Sequence, residues 1–286
     1  MVSGSLCCVS TGLMPRNLPF RRALVLASTI SMSRTSAFVG HRNFPSFIPQ
    51  RHTSVSNNRH CLSSLSEEHP RESILKRSPK EDEKILCRTL DWVQRAVIGL
   101  NLCPFAEKPF QKKQMNLEVI RGCDQVDILT QILGECLVKK KQPGTSLMIC
   151  PDLFPSNFIS FLEVYNMLQD GVLVDNHLDE YIQVAPFHPL FEFEGSAENI
   201  DNFTNRSPYP IFHILREEEV SLAVDALQGD SERVWKRNVE LLEELEDQLG
   251  REKTTQILSG VETDLTTREK VKEVVKKIKN GRLPEI

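Results

Sequence analysis

The sequence predicts an α/β protein: a single mixed sheet of about four strands packed by helices, followed by a C-terminal helical extension. Three observations carry that prediction. Short β-branched or apolar runs alternate with helical periodicities of a dozen or so residues, the pattern of crossovers over a partly parallel sheet. One interval, between Phe187 and Tyr209, is too poor in helix to hold a crossover, so the strand after it should run antiparallel. Everything beyond Gly229 reads as helix.

A charged, proline-punctuated linker, EEHPRESILKRSPKED at 67–82, precedes the first element. Apolar residues at Ile85, Leu86, Leu90, Val93, Ala96, Val97 and Leu100 recur with helical period, which predicts an amphipathic helix ending near Gly99. Asn116 to Arg121 alternates as a strand, Gly122 breaks it, and Asp124 caps a helix striped by Val126, Leu129, Ile132, Leu133 and Cys136. The unit repeats. TSLMIC at 145–150 is a continuous apolar run suited to a buried strand, and after PDLFPS a helix carries Phe158, Phe161, Leu162, Tyr165 and Leu168 on one side.

A loop around Gly171 to Asp179 should then lead into a third strand, Tyr181 to Phe187. The stretch that follows holds at most one helical turn, Glu198 to Phe203, before IFHIL forms the fourth strand. A helix with Val220, Ala223, Val224 and Leu227 closes a core spanning 83–227. In the extension, 228–286, Val234, Leu241, Leu242, Leu245 and Leu249 mark one helix, and Val271, Val274, Val275 and Ile278 another that ends at Gly281. The basic residues of that last helix suit either a plain solvated face or an acidic partner or membrane surface.

Residues 1–66 stand apart from all this. They contain seven Arg but no Lys, Asp or Glu, and Ser and Thr are abundant, the composition of an organelle targeting leader. Arg21 and Arg22 precede ALVLASTISM, too short to span a bilayer, and small residues lead to Phe38. That layout, with TSAFVG, resembles the bipartite leaders that direct import into algal plastids of secondary origin; a mitochondrial presequence is the alternative.

Without the leader, 28 basic residues (35 less seven) face 39 acidic ones, a net charge of −11. A nucleic-acid reader is disfavoured, because phosphate neutralisation needs a basic face. No membrane span is expected, since no later segment is apolar for long enough. The five remaining cysteines, at 87, 103, 123, 136 and 150, are odd in number and form no CxxC. Free thiols in a reducing compartment are expected, and no oligomeric state or cofactor follows from the sequence.

Parallel strands deliver ligand-binding groups at their carboxyl ends. Here those ends carry Arg121, Asp152 and His188, and an antiparallel fourth strand would bring the loop TNRSPYP (204–210) to the same edge. Its two prolines stiffen that loop. A small anionic ligand is the expected partner: Arg206 offers a bidentate fork, with Asn205 and Ser207 beside it. His188, clamped by Pro186 and Pro189, is a candidate acid, base or metal ligand; the alternative is a loop histidine bonded to backbone.

His213, inside the fourth strand, reads more naturally as a satisfied core histidine, and Arg216 as a partner of Glu218 or Glu219. Cys103 follows a helix C-terminus, whose dipole disfavours the thiolate, so a structural role is preferred to a nucleophilic one. Zinc ligation by Cys103, His188 and His213 is conceivable, but no pair has close metal spacing, and no metal site is assigned.

Three blocks, VIGLNLCPFA at 97–106, QVAPFHP at 183–189 and TNRSPYPIFHILRE at 204–217, resemble the signature blocks of the family named domain of unknown function 1415. The resemblance spans about 85–227. It implies a single-domain protein with Asn101, Cys103, His188, Asn205, Arg206, Ser207, His213 and Arg216 among the motif residues, and it carries no reaction. The leader and the helical tail after Gly229 fall outside these blocks, as lineage-specific additions would.

Overall fold

The computed structural model describes residues 80–193, 199–227 and 232–282. The leader and all but the end of the linker lie outside them. Helix α1, Glu83–Trp92, continues without a break as a π-helical turn, Val93–Ile98. A short α2, Glu107–Gln111, leads to β1, Met115–Val119, α3, Gln125–Lys139, and β2, Thr145–Ile149. Helix α4, Phe158–Asn166, runs through a π-helical segment, Met167–Val172, into α5, Leu173–Asp175. Strand β3, Ile182–Phe187, a 3₁₀ turn, Ile200–Thr204, and β4, Ile211–Arg216, complete the sheet. Helix α6, Glu217–Ala226, precedes a tail of α7, Glu232–Leu249, α8, Arg251–Leu258, and α9, Leu265–Arg282.

The four strands form one mixed sheet in the order β1-β2-β4-β3. Strands β1 and β2 are parallel, and β4 runs antiparallel to both β2 and β3. β3 therefore skips a position, and the returning β4 fills the gap. Strand alternation divides the core between two faces. On one, Ile128, Ile132 and Cys136 of α3 and Phe161, Val164 and Leu168 of the α4 segment cover Met148, Ile182, Val184, Phe212 and Ile214. On the other, Leu86, Leu90, Val93 and Ala96 cover Leu117, Leu147, Ile149 and Ile211. The sheet is thus the middle layer of three.

Two expectations need correcting. The loop expected around Gly171 is helical as far as Asp175, because Leu168 and Leu173 are fully buried and their packing outweighs the ~1 kcal/mol cost of a helical glycine. The tail has three described helices, not two: α8 was missed because Gly250, at φ +79°, ends α7 and reverses the chain. Nor is the tail a loose appendage. Leu241, Leu242, Leu245 and Leu258 share a cluster with Leu100, Ile200 and Phe203 of the core domain. Gly260 approaches α1 so closely that a Cβ there would lie 2.5 Å from Trp92 Cα.

Candidate functional site

The carboxyl edge is built by the antiparallel pairing of β3 with β4. Their last pair is Phe187 with Ile211, so residues after 187 and before 211 must share that edge. Because β4 also pairs with β2, the TNRSPYP loop ties all three strands: Cys150 N–H donates to Pro210 O (2.8 Å), and His188 N–H to Asn205 O (3.2 Å). Arg121 and Asp152 reach the same edge, with Arg121 bound to Asp82 at 2.8 Å and lying 3.8 Å from Asp152.

His188 is wholly buried, stacked obliquely between Phe158 and Phe161 with centroids 5.4 and 5.0 Å away. Its Nδ1 accepts from Leu190 N–H (3.0 Å), so the proton sits on Nε2, which donates to Phe154 O (3.0 Å). Both nitrogens are spent on backbone. Burial lowers the ring's pKa, and the neutral imidazole pins Phe154, a non-glycine residue at φ +48°. The backbone-bonded histidine weighed against the acid–base one is the arrangement present.

The loop polar groups also turn inward. Asn205 is buried and makes a long Nδ2 contact to Pro186 O (3.4 Å), while Ser207 Oγ donates to Tyr209 O (2.5 Å). Arg206 Nε donates to Phe191 O (3.0 Å) and its guanidinium stacks on Phe203, 4.6 Å from the ring centroid. A guanidinium held at Nε and against a ring has its orientation set in advance.

His213 and Arg216 belong elsewhere. On the α1 face, Thr145 Oγ1 donates to Ile214 O (2.6 Å) and its oxygen faces His213 Nε2 at 2.7 Å, so Nε2 is the ring's donor. Burial pushes this histidine's pKa down to about 4. Arg216 pairs with Glu218 and Glu219, as expected. The conceivable zinc triad does not assemble: His188 packs with Phe161 on the α3–α4 face, His213 lies 6.1 Å from Phe187 on the other, and the described residues hold no group of three His, Cys, Asp or Glu suited to a metal ion.

Cys103 lies in the turn after the π-helical segment. Burial pushes its thiol pKa up, partly offset by the amides of Phe105 and Ala106. The turn is fixed from the tail. Arg237, 1 % exposed, donates to Leu100 O (3.0 Å) and Asn101 O (2.8 Å), and Asn238 Nδ2 to Leu102 O (2.8 Å). Arg237 thus supplies a donor to the carbonyl of Asn101, a non-glycine residue at φ +56°. The sequence did carry a signal for them: the polar pair 237–238 interrupts the apolar stripe that runs from Val234 to Leu241 and Leu245.

Residues 84–252 match the model of the family described as "Protein of unknown function (DUF1415)". The chain belongs to that family. The match continues through α7, so the first tail helix, with Arg237 and Asn238, lies within the family segment and not outside it. Neither the curated proteins nor the solved structures include a match to the chain.

Proposed function

We propose that this protein binds a small anionic ligand at the carboxyl edge of its sheet, with Arg206 as the anion-holding group. What supports the reading is the way Arg206 is held: a bond at Nε and a stacked ring fix the guanidinium plane before any ligand arrives, lowering the ordering cost of binding. Asn205 and Ser207 then act on the loop, keeping its shape, and His188 acts on the Phe154 turn. An enzyme working on such a substrate would need a proton-transfer group other than His188, whose nitrogens are both engaged. A second reading, a non-catalytic protein using TNRSPYP as a rigid interaction surface, draws on Leu190 and Ile159, which are 51 % and 63 % exposed near this edge.

A thermal-shift panel of carboxylates and phosphates on the full chain and on Arg206→Ala separates the two. A ligand whose stabilisation disappears in the variant supports anion binding; unchanged stabilisation by every ligand refutes Arg206 as its anchor. The 1–66 leader completes the proposal as a plastid import signal, with the mitochondrion as alternative. A fluorescent protein fused to it should leave the cytosol, and replacement of Phe38 should divert it from the plastid.

A further inference from the structure

Three aromatic rings stand in a row beside Arg206. Phe158 and Phe191 have ring centroids 4.9 Å apart, and Phe191 and Phe193 meet edge to face at 5.0 Å. The middle ring is buried, and the carbonyl of that same Phe191 takes the Nε–H of Arg206 at 3.0 Å. A fourth ring, Phe203, lies under the guanidinium at 4.6 Å. The backbone position that orients the charge therefore also carries the centre of an aromatic row. The ends of the row, Phe158 and Phe193, are only half-buried, and Leu190 next to Phe191 is exposed.

This apolar wall is held as firmly as the arginine. His188 packs against the Phe158 ring and commits both nitrogens to chain that flanks the row: Nδ1 takes the Leu190 N–H, and Nε2 donates to Phe154 O in the turn leading to Phe158. At the other end, Asn202 Oδ1 takes the Phe193 N–H (2.8 Å) from the same 3₁₀ turn that carries Phe203. A buried histidine and a buried asparagine, both costly to desolvate, thus hold aromatic side chains around a cation. A solvated anion alone needs no such wall. A ring-bearing body attached to the anion does: it gains by leaving water against the half-buried rings, and edge-to-face contacts add to that gain for an aromatic body.

We propose that the ligand of the carboxyl edge is an aromatic acid, a small carboxylate or phosphate ester carrying a planar ring, with its charge on Arg206 and its ring against the row of Phe158, Phe191 and Phe193. This rests on Arg206 as the anion-holding group and adds the part of the ligand that the rings select. The charge fixes one end of the molecule and the aromatic wall fixes the other, so a ring-free anion keeps only half of the contacts.

The test follows thermal midpoint and binding heat on the full chain with two matched pairs, acetate against phenylacetate and inorganic phosphate against phenyl phosphate, for wild type, Arg206→Ala, Phe193→Leu and Phe158→Leu. In at least one pair the ring-bearing anion should bind the wild type about tenfold or more tightly than its ring-free counterpart, a comparison that needs no variant to fold. The pair that shows the preference names the anionic group. Arg206→Ala should lose that ligand, and at least one leucine variant should weaken it about threefold or more. Equal binding within both pairs, lost in Arg206→Ala, overturns the aromatic acid and leaves the anion site standing. A ring preference that neither leucine variant reduces overturns the row as its seat. A ring-bearing anion held as tightly by Arg206→Ala as by wild type overturns the anion reading beneath it, and binding of none of the four overturns the proposal outright.

Discussion

Replacing His213 by glutamine should flatten the acid limb of this protein's stability curve. The wild-type ring is neutral in the fold, with its pKa depressed from 6.5 to about 4 by burial, and its Nε2–H faces Thr145 at 2.7 Å. In the unfolded chain the same ring titrates near 6.5. Above that pH both states hold it neutral and it contributes no pH dependence. As pH falls from 6.5 toward 4 the unfolded chain takes up a proton that the folded chain refuses, so stability declines; below about 4 both states are charged and this contribution levels off. At about 1.4 kcal/mol per pH unit, the gap between 6.5 and about 4 corresponds to ~3 kcal/mol, an upper figure for a ring that retains some solvent contact. Glutamine keeps an amide donor for Thr145 and has no proton to gain.

Urea unfolding of both proteins at half-unit intervals from pH 7.5 to about 4 reads the difference directly. The wild type should lose up to ~3 kcal/mol more than His213→Gln across this window, and the two curves should run parallel above pH 7. Parallel curves throughout would refute the depressed pKa, and a steeper loss in the variant would refute its sign.

Three further outcomes follow from the same contacts. Arg237→Ala removes the donors to the buried carbonyl of Leu100 and the partly buried one of Asn101, in the turn before Cys103, and denaturant unfolding should show a loss of ~2–4 kcal/mol. Gly260→Ala places a methyl against the backbone of Trp92 at a left-handed φ of +73°, so its thermal midpoint should fall by several degrees while a glycine-to-alanine change at Gly171, with nothing within 4 Å, should be neutral or stabilising. His188→Ala frees the Phe154 turn and opens a void between two aromatic rings; it should cost ~2–4 kcal/mol in urea unfolding, with amide exchange accelerated across 150–157.

The fold was legible where periodicity speaks. Ile85 to Leu100 at helical spacing, TSLMIC as an unbroken apolar run and the helix-poor interval before IFHIL each named an element whose type the structure bears out. Strand order was not legible, because the placing of β4 between β2 and β3 is a long-range pairing that no local pattern encodes. The stiffness of the TNRSPYP loop could be read from Pro208 and Pro210. The direction of the polar groups at this edge could not: Arg206 and Ser207 of the loop, and His188 after β3, bond to the carbonyls of Phe191, Tyr209 and Phe154, and a carbonyl belongs to every residue type alike.

The central claim, that Arg206 is an anion-holding group on a rigid frame, is met most directly by one anion-panel titration run in parallel on wild type and Arg206→Ala. The account predicts a ligand whose stabilisation is lost in Arg206→Ala, with the unliganded variant still folding to the same structure by its circular-dichroism spectrum. If Arg206→Ala fails to fold, or if every ligand stabilises it as strongly as it does the wild type, the arginine is a clamp for the loop and the carboxyl edge is not the anion site.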